Sequence, residues 1–470
     1  MVFRFDEGGI AMAIKFGTDG WRDIIGFNYN AENVARVSLA VAKYFSSLNK
    51  GKKVLVGYDN RFMSEEFAQV IGDVFSVEGF EVHIFERPVP TPLLAWTVKH
   101  RGYTLGIMLT ASHNPHYYHG YKIIPWHGSP AEKEITDGIQ SLIENDKPLR
   151  VSFPSERKYL IPVDDDYLRA VKNFVGDISS DMRIVYSAMH GVGAGFTDRI
   201  LKSYGLHVST IRSGRDPYFG GIIPEPKPKY LSDLAQMVKS FGAMGLANDG
   251  DADRFGLVDE HGEVVNNNWF LVAIAWYLYE IKKMQGNIGR TVATTHMLDK
   301  VAEYYGYKCV ETPVGFKWLG KEMREGNIFY GGEESGGLGL ADHVPEKDGV
   351  IADVMFVHAL TSFGGTVSEF ISFLQEKFGP FVYLRKDYRL SEKQRAYVKE
   401  VLMSDEIPSW LGDVSHVIKK DGLKVIWDDD SWLLIRLSGT EPVIRVYAEA
   451  HEKERVDEIH RIVAKHILSI

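Results

Sequence analysis

Lys53-Val54-Leu55-Val56-Gly57-Tyr58 is a short apolar run, and the order of the elements after it decides the fold. Glu66–Val77 has helical spacing, Glu81-Val82-His83-Ile84-Phe85 is again strand-like, and Tyr103–Leu109 is a further apolar run after a second helical stretch. Strand and helix alternation of this kind predicts a parallel α/β layer, with crossover helices covering the sheet. Arg183–Ser187, Ser232–Ser240 and Ala243–Ala247 repeat the logic, with the glycine-rich turn Gly191–Gly195 between them. A third unit is predicted to open with a helix from Asn268, continue through a strand at Thr291–Thr294 and reach another strand at Asn327–Tyr330. After Phe363-Gly364-Gly365 the pattern changes. A helix near Glu392–Leu402 precedes strands expected at Lys424–Trp427, Trp432–Arg436 and Val443–Ala448, and an amphipathic helix is expected from Glu452 onward. The expected fold class is α/β, with three similar α/β domains at 1–154, 155–256 and 257–372 and an α+β domain at 373–470. The first boundary rests on the proline- and charge-rich stretch Lys147–Lys158.

Composition agrees with several units, because 470 residues exceed what one hydrophobic core serves. Hydrophobic residues at 45% and charged residues at 25% are ordinary globular values, so the chain is expected to fold throughout. The formal net charge of -9 repels a polyanion, which argues against a nucleic-acid partner but not against a small anionic substrate. One cysteine, Cys309, excludes an intrachain disulfide framework and fits a reducing, cytoplasmic setting. Within the strand-like Tyr307–Val310 it reads as a small buried hydrophobe. The first residues lack the basic, apolar and small-residue order of a secretory leader, and Met12 is a candidate alternative start. The most apolar helical stretch, Trp269–Ile281, is shorter than a membrane span, so a buried core helix is expected and no membrane partner.

Four strings carry chemistry. Thr110-Ala111-Ser112-His113-Asn114-Pro115 begins where an apolar strand ends, the place where open α/β sheets bind ligands. Ser112 could simply cap a helix, although Asn114-Pro115 disfavours immediate helix continuation. With His113 beside it and Lys122 downstream, the serine hydroxyl can instead carry a transferable phosphoryl group. Asp249-Gly250-Asp251-Ala252-Asp253-Arg254 offers three carboxylates at alternate positions, a hard-oxygen set suited to Mg²⁺. Counting from Asp249 as a calcium loop puts Glu260 at the closing position, but Arg254 then occupies the place that requires glycine. Gly332-Glu333-Glu334-Ser335-Gly336-Gly337 combines acceptors with glycine flexibility and suits sugar hydroxyls, and Thr312-Pro313-Val314-Gly315-Phe316-Lys317 can bring Lys317 to it. Arg436-Leu437-Ser438-Gly439-Thr440-Glu441-Pro442, with Arg445 beyond, sets hydroxyls and exposed amides between guanidiniums, a cradle for a phosphate. A plain hairpin explains Ser-Gly-Thr but not arginine on both sides.

Together and in this order, the strings resemble the α-D-phosphohexomutase family of phosphoglucomutases and phosphomannomutases. Phe16-Gly17-Thr18-Asp19-Gly20-Trp21-Arg22, Gly57-Tyr58-Asp59-Asn60-Arg61 and His190-Gly191-Val192-Gly193 are similar to further family signatures. The resemblance implies three related α/β domains and a flexible C-terminal domain around a central cleft. By the same resemblance Ser112 is the phosphorylated serine, and Asp249, Asp251 and Asp253 hold Mg²⁺ with a phosphoserine oxygen. Glu333 and Ser335, with Gly315, Lys317 and Arg254, are the expected sugar-side contacts. Arg436, Ser438, Gly439, Thr440 and Arg445 are expected to hold the nonreacting phosphate. Arg22, Lys122 and His113 are expected beside the transferring group, Lys122 as a general acid or base. Two departures stand out: His119 replaces the family's usual asparagine, expected at a loop surface, and Gly337 replaces the histidine of many bacterial relatives. Asp342-His343-Val344-Pro345-Glu346-Lys347-Asp348-Gly349 is similar to the stretch after the sugar loop in eukaryotic-type phosphoglucomutases, which makes Lys347 the second acid/base or phosphate contact.

The implied cycle passes phosphate from Ser112 to a hexose monophosphate of glucose or mannose. The hexose 1,6-bisphosphate turns around and then returns its other phosphate. Phosphoglucosamine mutase is the first alternative, disfavoured by Glu334 where glutamine is expected. A Mg²⁺-dependent phosphatase with an aspartyl nucleophile and a noncatalytic sugar-phosphate-binding protein are readings of a different class. A monomer or homodimer is expected.

Overall fold

The computed structural model describes residues 14–17, 20–143, 151–152, 156–438 and 443–469. Met12, Gly439 and Thr440 lie outside them. Three sheets share one topology. In the first, the antiparallel Tyr118–Pro125 pairs with Leu105–Leu109, which lies parallel beside Lys53–Tyr58, itself parallel to Glu81–Phe85. In the second, the same four places are taken by Phe255–Val258, Met244–Asn248, Arg183–Ser187 and His207–Ile211. In the third they are taken by Gly337–Leu340, Tyr330–Glu333, Ile288–Thr291 and Cys309–Thr312. The serine string, the aspartate string and the Glu334–Gly336 turn therefore occupy equivalent positions, each joining the last parallel strand to its antiparallel return.

The parallel layers expected from the sequence are present, each with an antiparallel return strand added, so the sheets are mixed. The apolar Phe255–Val258 reads as a returning strand from the sequence, but the other two escape because Tyr118–Pro125 contains His119, Gly120 and Lys122, and Gly337–Leu340 is half glycine. In the third unit the strands lie at Ile288–Thr291 and Tyr330–Glu333, displaced from Thr291–Thr294 and Asn327–Tyr330. Apolarity misplaces the first because Arg290 is buried there, its guanidinium shared between Asp299 and Glu311. Sheet membership runs past the first two expected domain boundaries: Leu160–Ile161 extends the first sheet, and Phe255–Val258 and Val264–Val265 belong to the second. Hydrogen bonding to a neighbouring strand, invisible in composition, sets those two limits, and the helix Val367–Phe378 spans 372/373.

The helix Asn267–Glu280 is buried over nearly its whole length, as expected for a core helix, and packs beside the equally apolar Gly349–Phe363. No single helix among the described residues is long and apolar enough to cross a membrane. Cys309 is half-buried rather than buried, at the start of its strand.

The last unit is an antiparallel sheet in the order Val382–Arg389, Val443–Ala450, Trp432–Leu437, Leu423–Ile426, His416–Ile418. Alternation gives it two unlike faces. Leu433, Ile435, Ile444, Val446 and Ala448 pack in the unit's own core with Val398 and Ile459 of its helices. The opposite face, with Tyr383, Trp432, Leu434 and Tyr447, packs on Val292, Ala293 and Val314 of the third unit. Lys424 Nζ donates to Val292 O at 2.8 Å and Tyr383 Oη to Ala293 O at 3.0 Å, so the seam is polar as well as aromatic.

Candidate active site

Ser112 sits just beyond the strand Leu105–Leu109, fully buried, with φ at 50°. A serine in the left-handed region is held there by its surroundings rather than by its own preference. Arg61 does the holding. Its buried guanidinium donates to the carbonyls of Ser112 at 2.7 Å, Asn114 at 2.7 Å, Pro115 at 2.8 Å and Tyr118 at 2.9 Å, while Nε pairs with Asp59 Oδ2 at 3.0 Å. Asp59 Oδ2 also accepts from Thr110 Oγ1 at 2.6 Å, and Thr110 Oγ1 accepts the Ser112 amide at 2.8 Å. Arg22, on the strand Trp21–Ile24, donates to Asn114 Oδ1 at 2.9 Å.

The serine meets the aspartate string directly. Ser112 Oγ donates to Asp249 Oδ2 at 2.8 Å and lies 3.3 Å from His113 Nδ1. Burial, with Arg254 and Arg22 nearby, pushes His113 well below the usual imidazole range, so its ring is neutral. Asp249 Oδ1 accepts the amides of Asp253 and Arg254, each at 3.1 Å, which curls the turn. Asp251 Oδ2 accepts from Thr91 Oγ1 at 2.6 Å and Lys122 Nζ at 2.7 Å. Asp253 Oδ2 accepts from Lys122 Nζ at 2.8 Å and pairs with Lys347 Nζ at 3.0 Å.

Oxygens of the three carboxylates lie within 4.8 Å of one another, and all three side chains are buried. Burial pushes Asp249 far above the carboxylate range, and Asp251 and Asp253 add to it. At Asp253 burial is outweighed by Lys122, Lys347 and Arg254, which hold it far below that range. Asp251 Oδ1 and Asp253 Oδ1 are buried without a hydrogen-bond partner among the described residues, with Arg254 Nε 3.9 Å from the latter. Hard oxygens converging with two acceptors unfilled fit Mg²⁺.

Lys347 reaches this cluster across Gly337, where a Cβ would fall 2.5 Å from Lys347 Cδ. Glu333 Oε1 accepts the Gly315 amide at 3.0 Å, so these two positions nominated by the sequence are in contact. Ser335 lies in the adjoining turn. Lys317 is on the first turn of the helix Phe316–Arg324, with Nζ 5.6 Å from the Trp318 ring centroid. Glu334 is turned toward Thr291 and Thr294, at 3.4 and 3.3 Å from Oε2, near the seam with the last unit.

In the last unit Arg436 and Arg445 stand directly opposite on paired strands. The Nε of each is buried without a hydrogen-bond partner among the described residues. Ser438 donates its amide to Val443 O at 3.0 Å. Gly439 and Thr440 fall outside the described residues.

His119 is corrected by the structure. It is fully buried, its ring stacked on Tyr29 at 4.7 Å and its Nε2 3.0 Å from Ser64 Oγ, because Tyr118–Pro125 is an interior strand rather than a loop. Sequence reasoning gives no role to Arg61, Asp59 or Thr91. Gly57–Arg61 is a recognisable signature, but nothing in it announces contacts across more than fifty residues.

Family profiles for phosphoglucomutase/phosphomannomutase match in series: alpha/beta/alpha domain I at 13–150, domain II at 165–262, domain III at 266–378 and the C-terminal domain at 390–466. The chain is 30% identical over 455 residues to a phosphoglucomutase/phosphomannomutase of Thermococcus kodakarensis, covering 95% of this chain and 97% of that one. It is 29% identical to a phosphoglucosamine/phosphogalactosamine mutase of Sulfurisphaera tokodaii, covering 96% and 99%. The open form of the phosphoglucomutase pp63/parafusin from Paramecium shares the fold, with a TM-score of 0.80 at 23% identity over 96% of this chain and 94% of that one.

Proposed function

Because the chain belongs to the phosphoglucomutase/phosphomannomutase family of intramolecular phosphotransferases, we propose that it interconverts hexose 1-phosphate and hexose 6-phosphate through phosphorylated Ser112. The observation that carries this reading is the 2.8 Å bond from Ser112 Oγ to Asp249 within the three-aspartate cluster. A nucleophile that must take and give back a phosphoryl group needs cationic support at its own oxygen.

In this reading Asp249, Asp251 and Asp253 hold Mg²⁺, which when bound offsets charge on the transferring oxygens. Arg61 fixes the Ser112 loop, and Arg22 is bonded to Asn114 of the same loop. Lys122 and Lys347 offer ammonium protons from two different elements, Tyr118–Pro125 and the segment before Gly349–Phe363. As the phosphoryl group leaves Ser112 Oγ, one ammonium gives that oxygen a proton, and the amine so formed takes the proton of the attacking sugar hydroxyl. The lysine thus ends as it began, and the second transfer runs the same exchange in reverse. Glu333 and Ser335 accept and donate at sugar hydroxyls. Arg436 and Arg445, with Ser438, Gly439 and Thr440, hold the phosphate that is not reacting. The hexose 1,6-bisphosphate formed on the first transfer turns end for end, so that its second phosphate meets Ser112.

We take glucose or mannose as the sugar. Glucosamine phosphate is about as well supported, by the Sulfurisphaera relative's name and by those of probable phosphoglucosamine mutases of Pyrococcus abyssi and Methanothermobacter thermautotrophicus, each 31% identical over 95% of this chain. The preference against it drawn from Glu334 carries little weight, since that carboxylate lies against Thr291 and Thr294 rather than beside Glu333 Oε1.

The test is isomerisation of glucose, mannose and glucosamine 1-phosphates with Mg²⁺ and trace hexose 1,6-bisphosphate, alongside a phosphate-release control. Turnover lost with a chelator and in folded Ser112→Ala supports the reading and ranks the sugars. Near-normal turnover in Ser112→Ala, or phosphate release exceeding isomerisation, overturns it.

A further inference from the structure

The turn between the strands His416–Ile418 and Leu423–Ile426 belongs to the last unit but reaches the third. Lys420 Nζ donates to Glu311 O at 2.6 Å. The next residue, Asp421, uses a single carboxylate oxygen twice: Oδ2 accepts the Val314 amide at 3.0 Å and pairs with Arg436 Nη2 at 2.8 Å. Val314 adjoins Gly315, whose amide goes to Glu333 Oε1 at 3.0 Å. Gly422, at φ 101°, seats the turn on the arginine stem, for a Cβ there would fall 2.8 Å from Arg436 Cγ and 2.4 Å from Ile435 O.

We propose that Asp421 is a positioning residue for sugar-phosphate binding, fixing the Arg436 fork against the Val314–Gly315 backbone that also anchors Glu333. This rests on the mutase reading above. One carboxylate thereby sets the span between the group that holds a phosphate and the group that grips hydroxyls. An arginine held before the ligand arrives loses less freedom on binding, which raises affinity. With Nη2 committed to Asp421, Arg436 Nε remains without a hydrogen-bond partner among the described residues, as does Nε of Arg445 opposite. A carboxylate beside a phosphate cradle opposes the incoming anion, so attraction alone does not account for it. Orientation does.

The experiment compares full-length wild type, Asp421→Ala and Asp421→Asn, using whichever hexose 1-phosphate the wild type turns over, with ribose 1-phosphate as a shorter competitor. Asparagine keeps an acceptor for the Val314 amide but gives up the ion pair, whereas alanine gives up both. The expected result is a KM raised about tenfold in Asp421→Ala, as for loss of one charge-assisted bond, with kcat changed less. Asp421→Asn is intermediate, and the preference for hexose over ribose falls in the same order. Wild-type KM and wild-type discrimination in folded Asp421→Ala overturn the proposal. So does an equal loss on both sugars that tracks a lowered Tm, which marks a purely structural seam. A wild type inactive on every hexose phosphate sinks the mutase reading instead, before either variant is made.

Discussion

Lys347 lies over Gly337 so closely that a Cβ on the glycine would stand 2.5 Å from its Cδ and 2.8 Å from its Cγ, and this path ends with Nζ 3.0 Å from Asp253. The absence of a side chain at 337 and the presence of lysine at 347 are one packing solution.

Gly337→Ala therefore displaces Lys347, and kcat falls at least tenfold while the fold persists. Lys347→Met produces a loss of similar size. If glycine acts through the lysine, the double variant is no worse than Lys347→Met alone; additive losses in the cycle refute the coupling.

Arg61 satisfies four carbonyls around Ser112, the serine's own and those of Asn114, Pro115 and Tyr118. Arg61→Met leaves those carbonyls and Asp59 without their donor, at a cost of about 3–5 kcal/mol for an uncompensated buried charge. Thermal unfolding should register a clear drop in Tm, and kcat should fall even at temperatures where the variant is folded. A variant as stable and active as wild type shows that the loop keeps its left-handed serine unaided.

Burial, with Arg61 nearby, holds His119 down at about 3, against an ordinary value of 6.5. Below pH 6.5 the unfolded chain takes up a proton that the folded chain refuses, so this residue subtracts stability as pH falls from about 6.5 toward 3. The slope is about 1.4 kcal/mol per pH unit. His119→Asn removes that contribution, and its unfolding free energy should decline less steeply than that of wild type between pH 6.5 and 4. Parallel curves for the two proteins exclude the assignment.

How much of this is legible in the sequence depends on where each signal is written. The serine, aspartate and arginine strings can be read because each is contiguous and lies at a strand end. Lys122 is found by its proximity to the serine string, but its strand is not, since His119, Gly120 and Lys122 hide an interior strand behind polar letters. His119 is misplaced at a surface for the same reason. Arg290 shifts a whole strand in the reading, because a guanidinium buried between two carboxylates looks exposed until its partners are known. Arg61, Thr91 and Asp421 act through partners 51 to 57, 160 and 107 positions away, and no local pattern encodes such pairs.

The last sheet assigns its two tasks by parity. On the strand Trp432–Leu437 the odd positions Leu433 and Ile435 face the unit's own core, and the even positions Trp432, Leu434 and Arg436 share the face of Arg445 and Tyr447. A combinatorial library varied only at even positions there, and only at odd positions on Val443–Ala450, would rewrite the seam with the third unit and the Arg436–Arg445 pair while leaving the unit's own core untouched. A single-residue deletion within either strand would exchange the two alphabets at once. Neighbouring codons in this stretch thus answer to different selections.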